Sequence, residues 1–171
     1  SEWERYEILK NFYDILVSEE HQYIEIICKE AGKTMSESKI EVDRAAQTFL
    51  ISAEEAKRID GEVLSTGSIK NFPKRKGIVI REPIGIVVAI TPFNYPLNLV
   101  AHKVGPGLAA NNPIILKPSS LTPLTAIKMA EDFLKAGLPS EMLQVLTGKA
   151  SIIGDYLIKN ESVKKISFTG S

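Results

Sequence analysis

From residue 84 onward, apolar segments typical of buried strands alternate with segments typical of helices. The run IGIVVAI at 84–90 is continuously apolar, a pattern found in strands that are buried on both faces. Three more strand segments follow, PIILK, LQVLT and VKKISFTG, and a helical segment precedes each of them. Because strands in this alternation must be joined by crossovers, the pattern predicts a doubly wound α/β fold around a parallel sheet.

The segments before residue 84 have a different character. Residues 1–63 carry apolar side chains at helical spacing, which predicts N-terminal helices packed on the sheet. Residues 64–83 are first polar and then β-branched, which predicts extended strands. Pro73 and Pro83 place this segment at an edge or away from the main sheet. Three residues are predicted as helix N-caps: Ser18, Ser36 and Thr122.

Composition excludes several classes of protein. The 171 residues contain 21 basic and 21 acidic side chains, so net charge gives no reason to expect nucleic acid or an anionic membrane as a partner. Cys28, the single cysteine, excludes an internal disulfide framework, and we expect it to be a buried thiol in a cytoplasmic protein. His21 and His102 are isolated, so no metal site is predicted.

Small polar residues follow every predicted strand of the sheet. The segments TPFN, KPSS, TGKA and TGS stand at the four strand ends. Because ligands of open parallel sheets bind beyond the carboxyl ends of the strands, these segments together predict a nucleotide site.

Single motifs within these segments leave alternatives open. GPGLAA at 105–110 matches the dinucleotide fingerprint, but it lies inside or at the end of a helical segment, so helix packing or a helix kink is the expected role. Asn94 could donate its amide to an oxyanion or cap the next helix, and composition favours the cap. Lys117 is equally compatible with a ribose or phosphate contact and with a surface lysine. Gly170 and Ser171 could begin a pyrophosphate-binding helix or form a plain turn.

The phrases REPIGIVVAITPFNYP, LKPSS and KKISFTGS, in this order and spacing, resemble the aldehyde dehydrogenase superfamily over nearly the whole chain from about Glu30. The resemblance implies a cofactor domain, a catalytic domain and an oligomerisation arm, here residues 64–83, in a homodimer or homotetramer. It also implies NAD(P)-dependent oxidation of a small aldehyde to an acid. In that reaction a cysteine thiolate forms a thiohemiacetal, and a glutamate activates water.

The resemblance also assigns roles to individual residues. Asn94 matches the oxyanion asparagine, which reverses the preference for a cap, and Lys117 matches a lysine that binds the adenosine ribose. Ser120 stands where many NAD-preferring members carry a glutamate, so NADP is the preferred cofactor and NAD the alternative. The remaining expected cofactor residues are Ile90, Thr91, Pro92, Phe93, Ser119, Gly148, Gly154, Phe168, Gly170 and Ser171.

Two chemical groups of that family are expected beyond Ser171: the nucleophilic cysteine and the general-base glutamate. Cys28 precedes the cofactor strands, so it cannot take the place of that cysteine. Residues 84–171 are therefore interpreted as an incomplete cofactor core within a larger enzyme. Alternatives are an inert cofactor-binding fragment and a coenzyme A-acylating semialdehyde dehydrogenase. Substrates compatible with the resemblance are hydroxyaldehydes, triose phosphates and semialdehydes.

Overall fold

The computed structural model describes residues 1–67, 70–71 and 75–170. The helices are α1 Glu2–Ser18, α2 Glu20–Ala31, α3 Met35–Ala56, α4 Asn98–Ala109, α5 Leu124–Lys135 and α6 Ala150–Lys159. The strands are β1 Glu62–Ser65, β2 Lys76–Val79, β3 Ile86–Ile90, β4 Ile114–Lys117, β5 Leu143–Val145 and β6 Val163–Phe168. A short 3₁₀ turn, Ser140–Met142, precedes β5.

The predicted parallel sheet is confirmed. Four strands pair in the order β5-β4-β3-β6, and all three pairings are parallel. The chain builds outward from β3 through β4 to β5 and then returns to place β6 on the other side of β3. In a doubly wound sheet this reversal opens a crevice at the carboxyl ends of the two strands beside it, here β3 and β6.

Three phenylalanines from three different helices form the centre of the main core. The rings of Phe12 and Phe133 stack with centroids 3.8 Å apart, and the Phe49 ring meets both edge-on. All three side chains are fully buried, and replacing one with Ala would typically cost about 3–5 kcal/mol. The stack therefore joins α1, α3 and α5 in one helical layer, which contacts the sheet through α4 and α5. The α6 helix contacts β6 and contributes no residue to this cluster.

The predicted extended segment forms a hairpin outside the main sheet. Strands β1 and β2 pair antiparallel, and every residue in both strands is exposed, including Val63 at 72% and Ile78 at 76%. The hairpin begins at Glu62, two residues before the predicted boundary, and Pro73 lies outside the described residues. A two-stranded hairpin is at best marginally stable in water, so its apolar side chains require a further surface to pack against.

The dinucleotide-like GPGLAA segment lies at the end of α4, as predicted, and it serves helix packing. A Cβ added at Gly105 would lie 2.6 Å from Ser52 Oγ and 3.2 Å from Ser52 Cβ on α3. The missing side chain therefore allows α3 and α4 to approach closely.

All three predicted N-caps are wrong. The Ser18 hydroxyl donates to the carbonyl of Ile15, and α2 begins after Glu19 without a side-chain cap. The cap of α3 is Thr34 instead of Ser36, because Thr34 and Glu37 form a reciprocal capping box.

The cap predicted at Thr122 is replaced by a carboxylate from another helix. The amides of Leu124 and Thr125, at the start of α5, donate to the two carboxylate oxygens of Glu30 at 2.7 and 3.0 Å. The Thr122 hydroxyl is buried and has no hydrogen-bond partner among the described residues. A long side chain on α2 therefore caps α5.

A buried carboxylate ties α2 to α5 below this cap. Asp132 is fully buried and accepts hydrogen bonds from Tyr23 Oη at 2.7 Å, Lys128 Nζ at 2.9 Å and Lys135 Nζ at 2.7 Å. Burial by itself would raise the pKa of Asp132, but the hydrogen bonds from Lys135, Lys128 and Tyr23 outweigh it and hold that pKa below its usual range.

We expect Asp132→Asn to lower the free energy of unfolding by about 3 kcal/mol at pH 7, because it removes the buried charge that accepts from Tyr23 and Lys128 and replaces one accepting oxygen by an NH2 donor. Since the folded-state pKa of Asp132 is depressed, its contribution is complete above the unfolded pKa of about 4 and is lost as pH falls through the folded-state value. Urea denaturation at pH 7 and pH 3 measures both effects.

The control for this prediction is Lys135→Met, which removes a half-exposed partner of the same carboxylate and should cost less than about 1 kcal/mol. Equal losses in the two variants, or an unchanged pH dependence in Asp132→Asn, would contradict the prediction.

Candidate active site

Three strand-ending residues lie in one row at the carboxyl edge of the sheet. Ile90 on β3 pairs with Lys117 on β4 and with Phe168 on β6. The pairing continues for one step into the loops, since the Thr91 amide donates to the Lys117 carbonyl at 3.2 Å and the Thr169 amide donates to the Ile90 carbonyl at 3.0 Å. The loops after β3, β4 and β6 therefore leave the sheet together at the crevice.

The loop after β3 begins with a buried hydroxyl and continues to an exposed ring. Thr91 is 4% exposed, and its Oγ1 has no hydrogen-bond partner among the described residues. Pro92 is half-buried, and Phe93 is exposed. A buried hydroxyl without a partner is unfavourable by about 1–3 kcal/mol, so Thr91 is well suited to bind a polar group that enters the crevice.

Lys117 is a buried cation, so the surface-lysine alternative is wrong. Its residue is 5% exposed, and its Nζ makes one long contact, 3.5 Å to the Pro118 carbonyl. Within the described ranges, no carboxylate lies at ion-pair distance from it. A buried ammonium group with so few partners can donate to the hydroxyl or phosphate oxygens of a ligand.

One hydrogen bond joins the loops after β4 and β5, and a second lies within the loop after β4. The Ser120 hydroxyl donates to the Gly148 carbonyl at 3.1 Å, and the Ser119 hydroxyl accepts from the Leu121 amide at 3.2 Å. Gly148 has φ of 145°, and a Cβ there would lie 2.6 Å from Ile153 Cδ1. This glycine is needed for the close approach of its loop to α6.

The other predicted glycines lie on α6 and after β6. Gly154 is on α6, where an added Cβ would meet nothing within 4 Å, so this face of the helix is open. Gly170 follows β6 beside the exposed ring of Phe168, 3.1 Å from an added Cβ. Ser171 lies outside the described residues, and its role stays a prediction.

Asn94 does not cap α4. The helix begins after Leu97, and the amides of Leu97 and Asn98 donate to Oε1 of Glu41 at 2.8 and 3.1 Å. Asn94 itself is exposed, and its carboxamide has no hydrogen bond within the described part of the chain. The carboxamide is therefore free to donate to a ligand.

Two charged residues near this edge are ones that the sequence reasoning did not single out. Glu41 is buried within the apolar face of α3, and a carboxylate at core spacing was the available signal. Lys103 on α4 donates to the Ser167 hydroxyl of β6 at 2.9 Å, and burial lowers the pKa of Lys103. No local sequence signal pointed to this contact, because the two residues are far apart in the chain.

A groove of about 290 Å³, lined by polar residues, lies between α3 and α4. Asn98, which lines it, is 3% exposed, and its Oδ1 has no hydrogen-bond partner in the described residues. Arg44 and His102 line the groove too, and Arg44 forms no ion pair with the described residues. Asp43 also lines the groove and is paired with Lys39 at 3.3 Å. The unpaired charge facing the groove is therefore positive, and Asn98 stands four residues after Asn94.

Cys28 lines neither the crevice nor the groove between α3 and α4. Its sulfur is 3.3 Å from Met35 Sδ and 3.3 Å from Ser38 Oγ, on the helical side of the molecule. In residues 1–67, 70–71 and 75–170, no group of three His, Cys, Asp or Glu side chains could hold a metal ion. None of the described helices combines the length and apolar character needed to cross a membrane.

The sequence model of the aldehyde dehydrogenase family matches residues 1–171. The chain belongs to this family. The 3-sulfolactaldehyde dehydrogenase of Priestia megaterium is 49% identical over 171 residues, which is 100% of this chain and 36% of that relative. The chain thus spans about a third of the length of the curated aldehyde dehydrogenases it matches.

Solved aldehyde dehydrogenase structures share the fold over the whole chain. NADP-dependent glyceraldehyde-3-phosphate dehydrogenase from Bacillus halodurans C-125, complexed with NADP, has a TM-score of 0.95 and 37% identity, covering 100% of this chain and 36% of that chain. An NAD-dependent benzaldehyde dehydrogenase from Corynebacterium glutamicum has a TM-score of 0.90 and 34% identity. This match covers 100% of this chain and 37% of that chain. The four-stranded sheet and its helices are therefore the Rossmann-like part of an aldehyde dehydrogenase, and as a domain it is incomplete.

Proposed function

We propose that this chain is the cofactor-binding part of an NAD(P)-dependent aldehyde dehydrogenase that oxidises a small aldehyde to the carboxylic acid. The observation that carries the proposal is the convergence of the loops that follow Ile90, Lys117 and Phe168 at the crevice, with the Asn94 carboxamide free to donate. The thiol nucleophile and the general-base carboxylate are proposed to lie outside these residues. By themselves, residues 1–171 would then bind cofactor without turnover.

The crevice residues fit a nicotinamide dinucleotide. The buried Lys117 ammonium would donate to the hydroxyls of the adenosine ribose, and the open α6 face at Gly154 leaves room for the adenine ring. The Thr91 hydroxyl has no partner in the described residues and would supply a further polar contact. When bound, the cofactor would accept the hydride from the substrate carbon. Ser171 stays a proposed pyrophosphate contact.

Asn94 is the proposed catalytic residue of the chain. When a nucleophile attacks an aldehyde, negative charge develops on the carbonyl oxygen, and a positioned amide N–H stabilises this charge more than it stabilises the neutral substrate. The assignment is supported because Glu41 already satisfies the helix amides that Asn94 would otherwise cap.

NADP is the proposed preferred cofactor. Ser120 is neutral, and its hydroxyl is held on the Gly148 carbonyl, so no carboxylate at this position repels a 2′-phosphate. The Lys117 ammonium is three residues away and would favour the added charge. Relatives of both cofactor classes share the fold, so the preference depends on these side chains.

The substrate is proposed to carry an anionic group. The groove that Asn98 lines, four residues after Asn94, also contains His102 and the guanidinium of Arg44, which has no ion pair among the described residues, while its Asp43 carboxylate is paired with Lys39. Two of the similar enzymes are named for aldehydes that bear a sulfonate or a phosphate. The third similar enzyme is named for benzaldehyde, which is uncharged. Family membership alone therefore does not indicate an anionic substrate, and the proposal is supported by the charge that lines the groove.

The assembly and location of the whole protein are also proposals. The exposed β1–β2 hairpin is suited to act as an arm that packs on a second subunit of a homodimer or homotetramer. A cytoplasmic location is proposed from the single cysteine.

We expect Asn94→Ala to lower kcat for aldehyde-dependent NADPH formation by about 10²–10³-fold, with little change in cofactor affinity, because one oxyanion donor is lost.

The intact mass of the protein is measured first: a mass of 18.8 kDa predicts cofactor binding without turnover, and a larger mass predicts turnover. Product analysis with added coenzyme A identifies the acyl acceptor.

Gln22→Ala, an exposed amide on α2, is the matched control and should leave kcat unchanged. A larger protein that does not reduce NADP or NAD with any aldehyde, or an unaltered kcat in Asn94→Ala, would refute the proposed function.

We expect Ser120→Glu to shift the ratio of kcat/KM for NADP to that for NAD by at least about tenfold toward NAD, because the new carboxylate repels a 2′-phosphate. Steady-state kinetics with both cofactors measures the ratio. Ser120→Ala is the control: it removes the Gly148 hydrogen bond without adding charge and should keep the preference for NADP. A starting enzyme that already prefers NAD would show the NADP assignment to be wrong.

We expect Arg44→Met to raise KM for an anionic aldehyde by about tenfold or more, because a charge-assisted hydrogen bond contributes about 1.5–3 kcal/mol. KM for an uncharged aldehyde of similar length should not change. Arg58→Met, which removes a guanidinium already paired with Glu55 at 2.8 Å, is the control. An equal rise in KM for both substrates would exclude recognition of the anion by Arg44.

A further inference from the structure

A buried carboxylate fixes the chain three residues beyond Asn94. The Glu41 side chain on α3 is fully shielded from solvent, and its Oε1 accepts from the amides of Leu97 and Asn98 at 2.8 and 3.1 Å. These are the amides at the start of α4, where the partial positive charge of the helix favours a carboxylate. Glu41 therefore holds the end of the loop that carries Asn94.

A single cation contacts both this carboxylate and the residue next to Asn94. Lys33, in the turn between α2 and α3, places its Nζ 2.6 Å from Glu41 Oε2. The same Nζ lies 3.7 Å from the centroid of the Tyr95 ring. Because the Lys33 side chain is only 17% exposed, this contact is largely shielded from water and from salt.

The loop that carries Asn94 is thus held at both ends and stiffened between them. At its start the Thr91 amide donates to the Lys117 carbonyl at 3.2 Å, and at its end Glu41 holds Leu97. Pro92 and Pro96 restrict the backbone of the residues that precede them. Asn94 has no side-chain hydrogen bond to a described residue, so its position depends on these backbone anchors and on Tyr95.

We propose that Lys33 and Glu41 are positioning residues that set the direction in which the Asn94 carboxamide donates. The inference rests on the proposed function, because it gives Asn94 the oxyanion role. A donor stabilises a developing oxyanion only when it is already aimed at that oxygen, and a displacement of about 1 Å can cost 10²-fold in rate. Lys33 and Glu41 act without touching substrate or cofactor.

The test uses Lys33→Met in the whole protein. We expect kcat to fall about 10- to 100-fold while the Kd for NADP stays within about twofold, and hydrogen exchange at the Leu97 and Asn98 amides to accelerate. Lys33→Arg keeps the charge beside Glu41 and Tyr95 and should restore kcat. The matched control is Lys29→Met, which breaks an exposed ion pair to Glu25 on α2 and should leave all these readouts unchanged.

Glu41→Gln is the second variant if Lys33→Met does not fold, because the carboxamide oxygen introduced by this substitution can still accept from both helix amides while the ion pair is lost. An unchanged kcat in these variants, in a protein where Asn94→Ala lowers kcat, overturns the positioning role alone. A parallel loss of NADP affinity also overturns it, since the damage then extends beyond Asn94. If Asn94→Ala leaves kcat unchanged, the oxyanion role and the positioning role both fail. Faster hydrogen exchange at the Leu97 amide would then show only that Glu41 caps the helix.

Discussion

The central strand β3 is the constraint on which the remaining structure depends. It is hydrogen-bonded on both sides, to β4 and to β6, and Val87, Val88 and Ala89 are buried on its two faces. A strand buried on both faces is typical of parallel sheets, whose strands are joined through helices that cover those faces. The reversal between β5 and β6 then places the crevice at the end of β3, where Ile90, Thr91 and Asn94 follow.

Carboxylates on distant helices, and not local caps, hold the first turns of two sheet-packed helices. Glu30 holds the start of α5, and Glu41 holds the start of α4. Because each of these contacts bridges two helices, it fixes both a helix end and the position of one layer relative to another. In the case of Glu41 this also releases Asn94 from capping, so the packing of the helical layer and the chemistry at the sheet edge are linked through one side chain.

The exposed apolar surface is consistent with a part of a larger assembly. Ile152 and Tyr156 on α6 and Phe168 at the end of β6 are largely exposed, as are the apolar side chains of the β1–β2 hairpin. The chain covers about a third of its relatives, and these surfaces lie outside the main core built around Phe12, Phe49 and Phe133. The part described here thus stabilises its sheet through the helical layer and leaves these apolar surfaces exposed.

The sequence by itself determined the parallel sheet, the order of its strand ends and the family, because continuous apolar runs and the segments PFNYP, LKPSS and FTGS are local patterns. It also predicted that GPGLAA would lie in a helix. The tertiary structure decided the helix caps, the burial of Lys117 and the freedom of Asn94. These depend on side chains that are far away in the chain, as Glu30 and Glu41 show, and a local pattern cannot reveal which distant carboxylate reaches a helix end first. Local patterns therefore indicated the candidate site residues, while packing between α3 and α4 decided that Asn94 does not cap the helix that follows it.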